Sequence, residues 1–185
     1  PIVAFQATSA ATAQAARLAA QLAADHPEFW PETIRGLIVH SAEWTTPMLA
    51  AFDGCTGKSA RYELVRRFGY GVPNYERATA SANHHLALFA QTEIQPFKLH
   101  KSRKFNECHY YELPIPRRML EELENASVQL KVTLSYFIDP NPGMSANIDP
   151  QRYQSHGLRF DLRRKSESLD AFKKRVNISE RENPF

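Results

Sequence analysis

The sequence predicts an α+β protein: a helical part over residues 1–80, a β-sandwich over 81–166, and a C-terminal helix and tail over 167–185. Three observations carry this. Ten alanines fall between Ala7 and Ala24, with Leu18 and Leu22 one helical turn apart. Further on, Val128, Leu130, Val132, Leu134 and Tyr136 alternate with Gln129, Lys131, Thr133 and Ser135, the period-two signature of a half-buried strand. Clustered turn formers, above all Asp139-Pro140-Asn141-Pro142-Gly143, break the second half into short strands with long connections.

Each element has a local reason. Ile2-Val3-Ala4-Phe5 is a short apolar run consistent with a buried strand, and a polar turn at Gln6–Ser9 leads into the first helix over 7–26. That helix is so small-sided that neighbours must pack closely on it. Pro27 ends it, and Pro31 opens a second helix to Ala42, with Ile34, Leu37 and Ile38 facing inward. Residues 45–58 read as a loop. Ser59 is a candidate cap for a third helix to Phe68, stopped by Gly69; Asn74 caps a short turn through Ala78. Strands are expected at Leu86–Thr92, His109–Leu113, 128–136 and Leu158–Leu162, with a helical turn at Met119–Leu123 and a basic amphipathic helix from Ser168 to Val176.

Composition removes several classes. Hydrophobic residues make up 43% and charged residues 23%, as in ordinary globular chains, and no apolar run reaches the roughly 18 residues of a membrane helix. Net charge is +3, too weak over the whole chain to argue for nucleic acid. Arg117-Arg118, Arg163-Arg164-Lys165 and Lys173-Lys174-Arg175 are interleaved with acids and read as solvated faces. Neither nucleic acid nor membrane is therefore an expected partner. Cys55 and Cys108 make neither a disulfide framework nor a CxxC zinc site. Gly57-Lys58-Ser59 ends like a phosphate-binding loop, but Phe52 stands where that pattern needs glycine. The chain starts at Pro1 with no signal-like segment, so its start is expected to be a processing boundary.

The chemistry concentrates in Thr8-Ser9-Ala10-Ala11, where strand meets helix. Unpaired amides at a helix N-terminus carry partial positive charge and can hold an oxyanion, and small residues let a carbonyl approach; Ser9 is equally the residue type that caps helices. This segment resembles the nucleophile segment of the subtilisin-like serine proteases (subtilases), usually Gly-Thr-Ser-x-Ala-x-Pro. The helix Pro31–Ala42 and the stretch Phe68-Gly69-Tyr70-Gly71-Val72-Pro73-Asn74 follow in that family's order, the latter resembling its Gly-x-Gly-x-x-Asn close. Ala7 and Ala13 depart from the family's Gly and Pro.

The resemblance implies an α/β protease domain ending near residue 80, followed by a jelly-roll-like sandwich. It implies Ser9 as nucleophile and the Ser9 backbone N–H as half of the oxyanion hole. The aspartate, histidine and side-chain oxyanion donor would precede Ser9, yet none of residues 1–8 is Asp, His or Asn. This segment is therefore expected to be inactive alone, and the downstream His84, His85, His100, His109 and His156 are expected to be structural. No organic cofactor is implied, and no residue argues for a metal. Expected partners are a peptide or protein substrate and the upstream part of the same protease, with self-association of the segment. The alternative is a non-catalytic subtilase-like scaffold.

Overall fold

The computed structural model describes residues 7–51, 57–83, 88–100, 102–113, 115–122, 126, 130–138, 157–164 and 166–182. In chain order the elements are α1 (Thr8–Asp25), α2 (Pro31–Ser41), α3 (Thr46–Ala50), α4 (Lys58–Phe68), α5 (Tyr75–Asn83), β1 (Phe97–His100), β2 (Ser102–Phe105), α6 (Arg117–Glu122) and α7 (Leu169–Glu182). The chain divides into two units: Pro1–Gln95 with Glu107–Ser135, and Pro96–Asn106 with Tyr136–Phe185.

The core of the first unit is made by α1, α2 and α5. Leu18 and Leu22 of α1, Ile34 and Leu37 of α2, and Ala78 of α5 form one buried cluster, with Ala19, Phe29, Ile38 and Tyr75 packed against it. Leu22 and Ala78 are completely buried. Alanine at 78 lets α5 approach the leucine pair closely, and the Tyr75 hydroxyl ties the end of α1 by donating to the Asp25 carboxylate. That carboxylate, with burial second, pushes the tyrosine hydroxyl above its usual pKa.

Helix limits follow capping chemistry. α2 opens on Pro31 after an N-cap, Trp30, that lacks a capping side chain. Gln91 supplies the missing acceptor from another segment: its Oε1 accepts from the Trp30 N–H at 2.7 Å and from the Thr33 hydroxyl at 2.6 Å. The same segment places Phe89 against Phe29, ring centroids 5.7 Å apart. Asn74 caps α5 as expected, Oδ1 accepting from the Arg77 N–H at 2.8 Å. Ser59 does not cap α4, whose N-cap is Gly57. The expected loop at 45–58 contains the short helix α3.

The β-sandwich expected over 81–166 does not appear among the described residues. The only ladder there is the antiparallel pair β1–β2. Residues 88–96, 106–113 and 157–164 have no strand pairing. The strands expected at His109–Leu113 and Leu158–Leu162 are therefore absent, as is the 88–92 part of the one expected at Leu86–Thr92; residues 84–87 lie outside the described residues. The strongest strand pattern, 128–136, is unpaired over 130–136 and turns its polar side inward. The Lys131 ammonium donates to the His40 and Ala42 carbonyls, the latter at 3.3 Å. Thr133 Oγ1 lies 2.8 Å from His40 Nδ1, and Arg35 Nε donates to Ser135 Oγ at 3.0 Å. Leu130, Val132 and Leu134 stay 48%, 41% and 45% exposed. The open carbonyls at the C-terminus of α2 form the negative end of its dipole, and a lysine satisfies them better than an apolar residue. The expected strand at Ile2–Phe5 lies outside the described residues.

Candidate active-site segment

Ser9 is the second residue of α1. The helix starts from Ala7, which is extended (φ −153°, ψ 147°) and offers no capping side chain. The Ala7 carbonyl accepts from the N–H groups of Ala10 and Ala11 at 3.1 and 3.2 Å. Thr12 is occupied locally, its hydroxyl donating to the Thr8 carbonyl at 2.9 Å. Neither Thr8 nor Ser9 serves as the N-cap. Ser9 is exposed, and its hydroxyl has no hydrogen-bond partner among the described residues. The first amides of a helix have no partner within it, and no acidic residue in the first turn of α1 competes for the positive end. The segment therefore presents a free hydroxyl beside backbone donors. Ala7 fits this turn without strain, because its φ and ψ lie in the β region open to any L-residue.

A second constellation closes the helical part. After α4 the chain turns through Gly69 (φ 58°) and Gly71 (φ 98°). Glu43 and Val72 then exchange backbone hydrogen bonds of 3.2 and 2.8 Å. Trp44 Nε1 donates to the Gly69 carbonyl at 3.0 Å, and the Asn74 N–H donates to Ser41 Oγ at 3.2 Å. Arg77 Nε donates to the Ser41 carbonyl at 2.9 Å, with Glu43 3.3 Å from the same guanidinium. The Gly-x-Gly-x-x-Asn stretch thus fastens the α4–α5 turn to the C-terminus of α2.

No histidine or carboxylate partners Ser9 among the described residues. His109 lies 3.8 Å from Glu107 and 3.5 Å from the Tyr111 hydroxyl. His84, His85 and His156 fall outside the described residues, and only the backbone of His100 is described, in β1. Two further histidines, inconspicuous in the sequence, have structural partners. His40 joins the 131–135 segment to α2. His26 is buried at the end of α1, its ring stacked 4.8 Å from Phe29, with Nδ1 3.5 Å from Glu28 and Nε2 unpartnered among the described residues. Cys108 is free and exposed; Tyr110 near it is pushed above the usual phenol range by burial first and by the thiol second. Among the described residues no cluster suits a metal ion and no helix is long and apolar enough to cross a membrane.

An exposed serine in the first turn of α1, preceded by extended backbone, leaves its hydroxyl open beside the unpaired amides of the helix start. Residues 2–71 match the family model described as the Subtilase family, peptidase S8. That stretch is similar to the subtilases, a family of serine proteases, and includes Ser9, α1, α2 and both glycines of the closing turn. No curated protein and no solved structure matches the chain.

Proposed function

We propose that Ser9 is the nucleophile of a subtilisin-like serine endopeptidase whose histidine and aspartate are supplied by sequence upstream of this segment. The single observation that carries the reading is the free, exposed Ser9 hydroxyl at the uncapped start of α1, inside the subtilase match. Ser9 Oγ attacks the peptide carbonyl while the upstream imidazole takes its proton. The amine leaves with that proton, and water hydrolyses the acyl-enzyme by the same route. The Ser9 N–H donates to the oxyanion. Alone, this segment brings no histidine to Ser9 among the described residues, and in this reading it is inactive.

The substrate is a peptide or protein, and the upstream portion of the protease completes the site. The open groove between α1 and α2, about 530 Å³ and lined by Ala19, Ala20, Ala23, Phe29, Ile34 and Ile38 among others, is covered by a second copy in the isolated segment. A fluorophosphonate probe tests the nucleophile on the full-length polypeptide. Labelling abolished by Ser9→Ala is the expected result. A folded, unlabelled full-length protein identifies the scaffold alternative, in which the family's core has lost its chemistry.

A further inference from the structure

We propose that residues 130–135 form an open β-edge that takes up an extended peptide with apolar side chains at alternate positions. The odd-numbered side chains hold this run on α2. Lys131 donates to the His40 and Ala42 carbonyls, Thr133 meets His40, and Arg35 donates to Ser135. The contacts run antiparallel to α2, from Arg35 at residue 135 to Ala42 at residue 131. Gly36 permits the close approach: a Cβ there would lie 3.4 Å from the Ser135 Cβ. The even-numbered Leu130, Val132 and Leu134 are exposed. Such a period of two is what extended backbone produces.

The backbone of the run is unpaired. No N–H or C=O of residues 130–135 makes a hydrogen bond among the described residues, and none belongs to a ladder. Native edge strands carry charge, proline or a bulge that prevents pairing with other chains. Here the charged residue, Lys131, is turned onto the α2 carbonyls, and the run holds no proline. Both requirements of strand addition therefore meet in one place: a row of unpaired backbone donors and acceptors, and an apolar stripe that selects alternate side chains.

Chemistry narrows the occupant. The run offers a polyanion only Lys131, whose ammonium the α2 carbonyls already hold. Acyl chains of a lipid would cover the three apolar side chains but leave the backbone row without hydrogen bonds, a cost that a peptide does not incur. A second copy lines its own apolar stripe up with this one only by bringing its α2 beneath the same ribbon. Paired strands lie about 4.8 Å apart, whereas packed helices need about 8–10 Å. A peptide with no helix beneath it has no such conflict. The inference goes beyond the protease reading and does not rest on Ser9.

Amide exchange of the whole chain, followed residue by residue, tests this with the peptide acetyl-Lys-Thr-Val-Thr-Val-Thr-Val-Thr-Lys-amide. At a concentration that fills about nine sites in ten, every second amide of 130–135 should exchange about tenfold more slowly, since a ladder on one edge bonds alternate residues. Amides of α1 should be unchanged. The same peptide N-methylated at two adjacent central residues keeps its side chains but loses a donor on each edge, and should bind at least about tenfold more weakly. In the double variant Val132→Lys/Leu134→Lys, with charges on outward positions, affinity for the parent peptide should fall about tenfold while helical circular dichroism stays the same. Four results would each overturn the proposal: no slowing at any soluble peptide concentration, equal slowing by the N-methylated peptide, unchanged affinity in the double variant, or slowing on concentrating the chain without peptide, which would make a second copy the occupant.

Discussion

Gly71 demonstrates how much one residue can fix. A Cβ there would overlap the Glu43 carbonyl and lie 2.7 Å from the Trp44 backbone nitrogen, and the backbone has φ 98°. Gly71→Ala combines a backbone clash with a left-handed conformation and should cost about 1–3 kcal/mol, read by chemical denaturation together with opening of the Glu43–Val72 bridge. Ser9 is the opposite case. A serine that caps a helix is worth about 0.5–2 kcal/mol over alanine. Because Ala7 is the N-cap and the Ser9 hydroxyl is free, Ser9→Ala should leave the denaturation midpoint unchanged. A measurable drop in stability would return this serine to a capping role. Legibility at this scale followed locality. Asn74 was readable as a cap because its acceptor serves a donor three residues on, whereas Gln91 was not, because the Trp30 amide it serves lies 61 residues away.

At the scale of elements, the longer helices were legible, whereas the short α3 and the strands among the described residues were not. Pro31 and Gly69 bound their helices as the sequence indicates, and Ser168 starts α7 with its hydroxyl accepting from the Ala171 N–H at 3.2 Å. Period-two alternation at 130–136 reports only that two faces differ. Which face turns inward depends on the surface it meets, here the open carbonyls and polar side chains of α2. α7 is held by charge. Arg175 donates to Glu167 at 2.8 Å, to Asp161 at 2.5 Å and to the Leu162 carbonyl at 3.0 Å; Arg159 reaches Glu180 at 2.7 Å. Hydrogen bonding from Arg175 is the largest cause that lowers Glu167 to a pKa of about 2. A carboxylate lowered on folding contributes stability above its unfolded pKa and loses it as pH falls toward the folded value. The attachment of α7 should therefore be intact above about pH 4.5 and weaken progressively toward pH 2. Helical circular dichroism across that window, compared with Glu167→Gln, checks it: the variant should lack this component of the pH dependence.

For the molecule as a whole, the subtilase match covers residues 2–71 and leaves the second unit without an assigned family. In the first unit one side of the α1–α2 pair packs on α5, while the groove at Ala19, Ala20 and Ala23 stays open. Large open apolar surfaces favour association. Sedimentation of the isolated segment should show concentration-dependent dimers, and Ala20→Glu, a charge placed on an exposed position in that groove, should return it to monomers. A monomeric parent at every concentration would show the groove to be open in solution. The segment at 131–135 carries a different thermodynamic consequence. It is secured by an ammonium, two hydroxyls and their partners, and its valine and leucine are already 41% and 45% exposed, so peeling it away exposes less new hydrocarbon than opening the leucine cluster. Its release should carry a smaller heat-capacity increment and a shallower urea dependence than unfolding of that cluster. Amide protons there should exchange with deuterium well before those of the leucine cluster, by a local opening that precedes global unfolding.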